Sequence, residues 1–516
     1  MKEYDVIVVG AGNGGLVAAA TTAQAGYKTI VFEKHNLPGG CATSFIRGRF
    51  EFEPALHELC AEDTCPELES SKKIFADLGA KMELLHETTL YRTICKDPEC
   101  SFDVVMRAGR ENFLDDLEAA APGNREKVAK LFDLVNNISE AQLYMNTGKN
   151  GPKINPFVMM MKHGDFMRTA SHSAEEVEKA LGIDEKARAI INTYWGYLGV
   201  PTNELSALHF ISLLTAYCEV KPTMPYNRSH ELSLALVKSL ESFGGEIRYN
   251  SEVSNFIFDE KGKAIGVIAN GEEYYAKKII SNIIPNNVIN RAGTKMDIND
   301  EKILPKRFRK MANARKFGMT FVTIYLGLDA TREELGIEDY SVFIARYKDA
   351  RKQFDERANF GYYVVNCLNV PLPDATPKGT STLFFTIPYM PGDFPDLSAR
   401  MYKAYKNEIA EKFIKDYEET MGFKPGTIKD HIEEIAIATP VTFARYLGTP
   451  EGAIYGYDTG SWDNIVGRIA MEDLDFNIPN LYFCGGHHTR GDGFPSGYIT
   501  GDKTARRVIK DLKEGK

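Results

Sequence analysis

Glycines at positions 10, 12 and 15 and an acid at position 33 are where chemistry is first legible in this 516-residue chain. Gly10-Ala11-Gly12-Asn13-Gly14-Gly15 follows the apolar run Tyr4-Asp5-Val6-Ile7-Val8-Val9 and precedes an Ala-rich stretch, Leu16 to Ala25, so the motif lies between a strand and a helix. Gly10 permits the tight turn, Gly12 lets a pyrophosphate approach bare backbone, and Gly15 lets helix and strand lie close. The helix N-terminus then offers unpaired N–H groups to an anion. Gly26-Tyr27-Lys28 turns the chain into a second strand, Thr29-Ile30-Val31-Phe32-Glu33, and Glu33 and the following Lys34 stand at its end. A carboxylate there accepts hydrogen bonds from ribose hydroxyls and repels a 2′-phosphate. A βαβ unit that binds a dinucleotide is the expectation.

Glycine is common here, 43 residues in all, so the choice between NAD and FAD rests on what surrounds the motif. Leu37-Pro38-Gly39-Gly40-Cys41-Ala42 puts a second glycine pair just after the acid-bearing strand. Late in the chain, Asn480-Leu481-Tyr482-Phe483-Cys484-Gly485-Gly486 reads as a strand running into a glycine turn before a closing helix, Thr500 to Lys513. Together they provide the bare backbone that a ribityl chain needs. FAD is the expected cofactor, and there is no second GxGxxG to indicate a dedicated NAD(P)H site.

Acid–base work is harder to place. His487-His488-Thr489-Arg490-Gly491-Asp492 lies just beyond the flavin-contact strand and either donates protons or holds the cofactor. Arg228 and His230 either meet a polar head group or begin a surface helix, and His57 is either a site group or a satisfied structural histidine. No metal is expected. There is no HExxH, and the eight cysteines lack the paired two-residue spacing of a zinc ribbon. Cys41 and Cys484 fall near the expected cofactor as small apolar packers.

The elements that must position these groups follow from periodicity. Helical patterns run from about 70 to 80, 125 to 145, 173 to 217 in two or three segments, 231 to 243 and 398 to 421. Strand-like runs cover 246–249, 253–259, 264–269 and 277–281, and then 320–328, 362–368 and 383–387, the last three suggesting a second sheet. The soft stretch from Asn155 to Met161 reads as core packing between helices or a substrate wall. A formal charge of −9 and the absence of a basic block argue against nucleic acid as the partner. No apolar run is long enough to cross a bilayer, and Met1-Lys2-Glu3-Tyr4-Asp5 does not read as a signal peptide. A cytoplasmic location is therefore expected, with peripheral membrane contact if the substrate is a lipid.

On these motifs the chain resembles the phytoene desaturase, carotenoid isomerase and retinol saturase group, within the amine-oxidase-like flavoproteins. Further similar stretches are Ser206-Ala207-Leu208-His209-Phe210, Gly244-Gly245-Glu246-Ile247, Gly262 to Val267, Thr439 to Phe443, Gly448 to Gly456 and Gly491 to Gly501. The resemblance implies an α/β fold, with a Rossmann-like FAD domain assembled from 1–90, 225–290 and 440–516, and a discontinuous α+β substrate domain from 91–224 and 291–439. It implies FAD contacts at Gly10, Gly12, Gly15, Glu33, Gly39, Gly40, Val253, Gly485, Gly486 and Asp492. The implied reaction is hydride transfer at flavin N5 in desaturation, saturation or isomerisation of a hydrophobic polyene, with the electron donor or acceptor left open. An amine-oxidase-like or fatty-acid double-bond enzyme is the alternative on the same fold, and a non-catalytic prenyl-binding protein a third reading. Two segments depart from the group: Tyr226-Asn227-Arg228-Ser229-His230-Glu231 replaces a glycine-rich stretch, and Glu53-Pro54-Ala55-Leu56 lacks a glycine ahead of His57.

Overall fold

Apolar alternation explains how the first strand comes to be covered on both faces. In β1 (Lys2–Val9), Val6 and Val8 pack with Leu16, Val17 and Ala20 of helix Asn13–Gln24, while Ile7 and Val9 face the opposite side with Phe256, Val267 and Phe308. The computed structural model describes residues 2–60, 70–150, 155–291, 304, 306–458, 478–487 and 493–515. In chain order the following strands are β2 (Thr29–Phe32), β3 (Phe45–Arg47), β4 (Phe50–Phe52), β5 (Leu84–His86), β6 (Thr89–Cys95), β7 (Phe102–Arg107) and β8 (Thr223–Pro225). Then come β9 (Glu246–Arg248), β10 (Val253–Phe258), β11 (Ala264–Ala269), β12 (Glu272–Ser281) and β13 (Thr320–Leu328). The last five are β14 (Ser341–Ala345), β15 (Tyr362–Asn366), β16 (Ser381–Tyr389), β17 (Ile432–Ala438) and β18 (Leu481–Phe483).

The first sheet has the order β10-β11-β12-β1-β2-β9, with β18 also pairing β12. β1 runs parallel to β2 and β12, β2 to β9, and β12 to β18, which gives a five-strand parallel core of Rossmann type drawn from widely separated parts of the chain. Two glycines show why the N-terminal turn takes its form. Gly10 has φ +94°, which other residues rarely adopt, and a Cβ on Gly15 would lie 2.0 Å from the Gly10 carbonyl oxygen.

The second sheet has the order β17-β13-β16-β15-β14-β6-β7 and is antiparallel except between β14 and β6. Its strands β13, β15 and β16 are the three runs expected from sequence; β6, β7, β14 and β17 complete it. On β13, Val322, Ile324, Leu326 and Leu328 pack against Ile409, Phe413, Ile414 and Tyr417 of helix Ala399–Thr420. The intervening Phe321, Thr323 and Tyr325 face the other way, into the cavity described below.

Two sequence expectations change, and a third, the division of 173–217 into helical segments, holds. The closing helix begins at Phe494 rather than Thr500, because Gly497 and Gly501 are contact points against the first helix and not a loop: a Cβ on Gly501 would lie 2.3 Å from the Gly14 carbonyl oxygen. The 173–217 region holds helices Ala174–Ala180, Glu185–Ile191 and Ala207–Val220 with a 3₁₀ segment, Asn192–Tyr197. The Asn155–Met161 stretch is neither wholly core nor substrate wall. It forms helix Pro156–Lys162, with Met159 buried, Phe157, Met160 and Met161 exposed, and none of the four lining the cavity.

The Gly15 contact gives a direct stability test. Replacing an exposed helical glycine by alanine ordinarily stabilises by up to about 1 kcal/mol. Gly15→Ala is expected instead to destabilise by about 1–3 kcal/mol, read as a lowered urea midpoint, because the methyl group meets the Gly10 carbonyl.

Candidate functional site

One cavity of about 1890 Å³ runs from the glycine turns of the first sheet to the inner face of the second. That is about twice the upper end of the usual ~300–1,000 Å³ for a single ligand pocket. Gly10, Gly12, Asn13, Gly14, Glu33, Lys34, Gly39, Gly40, Cys41, Val253, Gly485, Gly486 and His487 all line it. Gly15 lies beneath, in helix packing. His488 and Asp492 lie outside the described residues.

The glycine segments are tied to each other. Gly39 N–H donates to the Ala11 carbonyl at 2.8 Å, and a parallel bridge joins Gly12 to Gly39. Glu33, buried at the end of β2, accepts from Ala11 N–H at 2.7 Å through Oε2 and from His35 N–H at 2.8 Å through Oε1. The carboxylate thus braces the turn while facing the cavity. Lys34 donates to the Arg445 carbonyl at 2.9 Å, and burial lowers its pKa.

Asn282, just after β12, was not singled out in the sequence. Its N–H donates to the Val9 carbonyl at 2.9 Å, and its amide fills the space left by three glycines. Cβ atoms on Gly12, Gly14 and Gly485 would lie 2.6, 2.8 and 2.7 Å from it. Gly12 therefore makes way for this amide as well as leaving backbone bare. Cys484 is fully buried and its Sγ donates to Asn282 Oδ1 at 3.5 Å, as an apolar packer would sit. The residues fit a dinucleotide: the helix N-terminus opens on the cavity, and buried Asn13 Oδ1 has no hydrogen-bond partner among the described residues.

The other end is a chamber. Its floor is the inner face of the second sheet, where register sets Phe321 beside Pro388 and Thr323 beside Thr386. Its roof comes from helices Arg125–Asn150 and Ala207–Val220 and the 3₁₀ segment carrying Tyr197. His57 lines this chamber, with Nδ1 3.3 Å from the Tyr197 hydroxyl and Nε2 3.0 Å from Thr386 Oγ1. Burial pushes its pKa down to about 4, so the ring is neutral at neutral pH.

Arg228 and His230 do not line the cavity. Arg228 pairs with Glu51 at 2.7 Å and donates to the Ala375 carbonyl at 2.8 Å. Its neighbour Ser229 meets Glu53, which accepts from Ser229 N–H at 3.0 Å and from Ser229 Oγ at 2.7 Å. The two segments that depart from the group's pattern are therefore one interlock, a buried carboxylate capping helix Arg228–Ser242.

Glu58 was also overlooked. It is 6% exposed, lines the chamber, and accepts from the Tyr197 and Tyr194 hydroxyls at 3.4 Å each. Burial, and then the nearby Glu87, raise its pKa well above the ordinary carboxylate value, and burial pushes Glu87 up to about 8. An acid within the otherwise apolar Ala55-Leu56-His57-Glu58-Leu59-Cys60 was the available signal.

Residues 8–64 match the family described as an NAD(P)-binding Rossmann-like domain. The chain is 26% identical to an all-trans-retinol 13,14-reductase of Danio rerio, the alignment covering 98% of this chain and 86% of that protein. It is 24% identical to a chloroplastic prolycopene isomerase of Daucus carota, over 99% and 81%. A solved putrescine oxidase bound to putrescine matches with TM-score 0.62 at 14% identity, covering 98% of this chain and 99% of that one, a likeness of fold. The resemblance read from the sequence thus holds along nearly the whole chain. With it holds the reading of the chain as an oxidoreductase-type enzyme on a Rossmann-like, amine-oxidase-like fold.

The buried acids have an opposite effect on stability to that of His57. Below about pH 6.5 the unfolded chain binds a proton at His57 that the folded chain refuses, so stability falls towards pH 4. Between 4.5 and about 8 the folded chain retains a proton at Glu87 that the unfolded chain releases, so stability falls as pH rises. Glu87→Gln removes its own share of the second slope and leaves that of Glu53, Glu58 and Glu178. Urea unfolding across this range is expected to show the variant gaining on the wild type by more than about 1 kcal/mol towards alkaline pH, and parallel curves would contradict it.

Proposed function

We propose that the chain is an FAD-dependent oxidoreductase acting on carbon–carbon double bonds of a hydrophobic polyene or isoprenoid-like substrate, by desaturation, saturation or cis/trans isomerisation. One observation carries this reading: a single cavity joins a dinucleotide-type cradle to a chamber walled by aromatic and aliphatic side chains, with room for two ligands. FAD, when bound, supplies a hydride acceptor or donor at N5. FAD rather than NAD is supported by the second glycine pair, Gly39-Gly40, and by the Gly485-Gly486 turn, both brought to the cavity beside Gly12.

The chain's own residues bind, orient and exclude water. Glu33 would hold ribose hydroxyls, the N-terminus of helix Asn13–Gln24 a diphosphate, and Val253 and Cys41 the surrounding wall. Phe321, Tyr362, Val364 and Ile454 would lay an extended apolar chain along the second sheet. The division into a cofactor unit of 1–90, 225–290 and 440–516 and a substrate unit of 91–224 and 291–439 is part of this proposal. Among the described residues no helix is long and apolar enough to cross a membrane. A lipid-like substrate would be collected at a surface, and exposed Phe157, Met160, Met161 and Met167 are the candidates for that contact.

The purified protein is expected to carry FAD, with a flavin absorbance spectrum. Glu33→Ala is expected to weaken FAD binding by about 10- to 100-fold in titration of the stripped protein, through loss of charged hydrogen bonds. Anaerobic incubation of oxidised and reduced enzyme with all-trans-retinol and poly-cis carotenes, followed by mass measurement, separates the three reactions. A colourless protein that no FAD restores would overturn the proposal.

A further inference from the structure

The buried acid of the chamber has a definite geometry. Glu58 sits in the cavity wall with Tyr197, whose hydroxyl lies 3.4 Å from Glu58 Oε1 and 3.3 Å from His57 Nδ1. His57 Nε2 continues the chain to Thr386 Oγ1 at 3.0 Å. Tyr194 packs over Tyr197 with ring centroids 4.9 Å apart and over Tyr217 at 4.8 Å, and the Tyr217 hydroxyl donates to the Glu58 carbonyl at 3.4 Å. The contacts to the carboxyl are long for O–H···O bonds, of the kind that tighten when a substrate is in place.

The groups facing Glu58 come from every side. Glu87 lies behind it between β5 and β6, Tyr194, Tyr197 and Tyr217 lie on the helical roof, and Tyr340 and Ser341 on and before β14; Cys60 acts on Tyr217. The strongest influences on Glu58 are burial, Glu87, the two tyrosines and Ser341, none of them a cation. The three hydroxyls favour the charged form, but burial and Glu87 outweigh them, and the carboxyl is raised well above its ordinary range. A neutral carboxylic acid in an apolar wall at neutral pH is a proton donor.

We propose that Glu58 and Tyr197 form the acid–base pair of the chamber, Tyr197 being the hydroxyl that meets the substrate carbon and Glu58 the acid that supplies its proton. This rests on the double-bond chemistry proposed above. In the reducing direction one alkene carbon forms a C–H bond with the Tyr197 proton, using the π electrons of the double bond. The Glu58 O–H breaks and its proton passes to the Tyr197 oxygen, so that Glu58 is left a carboxylate, which water reprotonates between turnovers. The adjacent carbon would take the hydride that reduced FAD supplies when bound, the two electrons gained by the substrate being those the cofactor gives up. In the desaturating direction Glu58 first releases its proton to water, and the carboxylate then draws the substrate proton through Tyr197; in isomerisation the pair gives the proton and takes it back. His57, neutral and fixed between Tyr197 and Thr386, is a positioning residue that orients the tyrosine hydroxyl.

Two measurements on the FAD-loaded protein test this. The first needs no turnover: infrared difference spectra of wild type against Glu58→Gln at neutral pH are expected to show a carboxylic-acid carbonyl band, shifting in D₂O, that the variant lacks. Absence of that band from the wild type would overturn the proposal. The second uses a polyene that the wild type converts. Glu58→Gln and Tyr197→Phe are expected to lower single-turnover rate and deuterium incorporation from D₂O by at least about 100-fold with the flavin spectrum unchanged. Glu87→Gln removes a like charge and is expected to move the alkaline fall of the pH–rate profile to lower pH, a shift that a purely structural role would not produce. Variants within about tenfold of wild type, with an unmoved profile, would overturn this inference alone. A wild type that leaves every polyene unchanged would overturn the double-bond reading and this inference with it.

Discussion

The placement of β12 is the constraint on which the rest depends. It pairs in parallel with β1 over its whole C-terminal half and, on its other side, with β18, so that three stretches separated by hundreds of residues end on one edge of the cavity. Asn282 follows directly on β12, and its amide occupies the space that Gly12, Gly14 and Gly485 leave open. A larger residue at any of these glycines would press on that amide and on the turn opposite. The cradle is therefore not a property of the N-terminal motif alone; it exists because the first and last strands share a neighbour.

The second sheet solves a different problem, which is to place an apolar surface where a ligand can reach it. Every residue of β13 is buried, yet its two faces have different neighbours: Val322, Ile324, Leu326 and Leu328 meet helix Ala399–Thr420, and Phe321, Thr323 and Tyr325 meet the cavity. Thr323 and Thr386 put hydroxyls side by side on the cavity face, and Thr386 reaches His57. Strand periodicity thus decides which residues hold the protein together and which are offered to a substrate.

The local signals survive best between sequence and structure. The βαβ unit, the strands β9 to β11 and β13, and the helices near 125, 231 and 398 follow from runs of residues that interact with near neighbours. What was not legible depends on partners far along the chain. Arg92 interrupts β6, but it is satisfied at the sheet by Asp103 on β7 and by Asp339 before β14. The glycines after Gly493 read as a turn because their purpose, close approach to Gly14, is visible only in three dimensions. In the site, the glycines and Glu33 follow from motif logic. Asn282 and Glu58 do not, since an isolated asparagine or glutamate has no pattern until the fold supplies its neighbours.

Glu53 and Glu58 show how much those neighbours decide. Both are buried glutamates five positions apart, and burial raises the pKa of both, so acidity alone does not tell them apart. Their donors do. Glu53 takes short bonds from Ser229 N–H and Oγ and a longer one from Leu56 N–H, and it does not line the cavity. With its oxygens engaged and its position off the channel, it is a clamp between the two segments that depart from the family pattern, and it fixes the loop that carries His57 and Glu58. Glu58 has two long phenolic partners and Ser341, with a second carboxyl behind it, and it faces the chamber. A clamp is most useful when its protons and bonds do not change; a donor must carry a proton at neutral pH and face the group that takes it. The same side chain, placed five residues further along the loop, meets the second requirement because burial and a neighbouring carboxyl keep it protonated and its position turns it to the chamber.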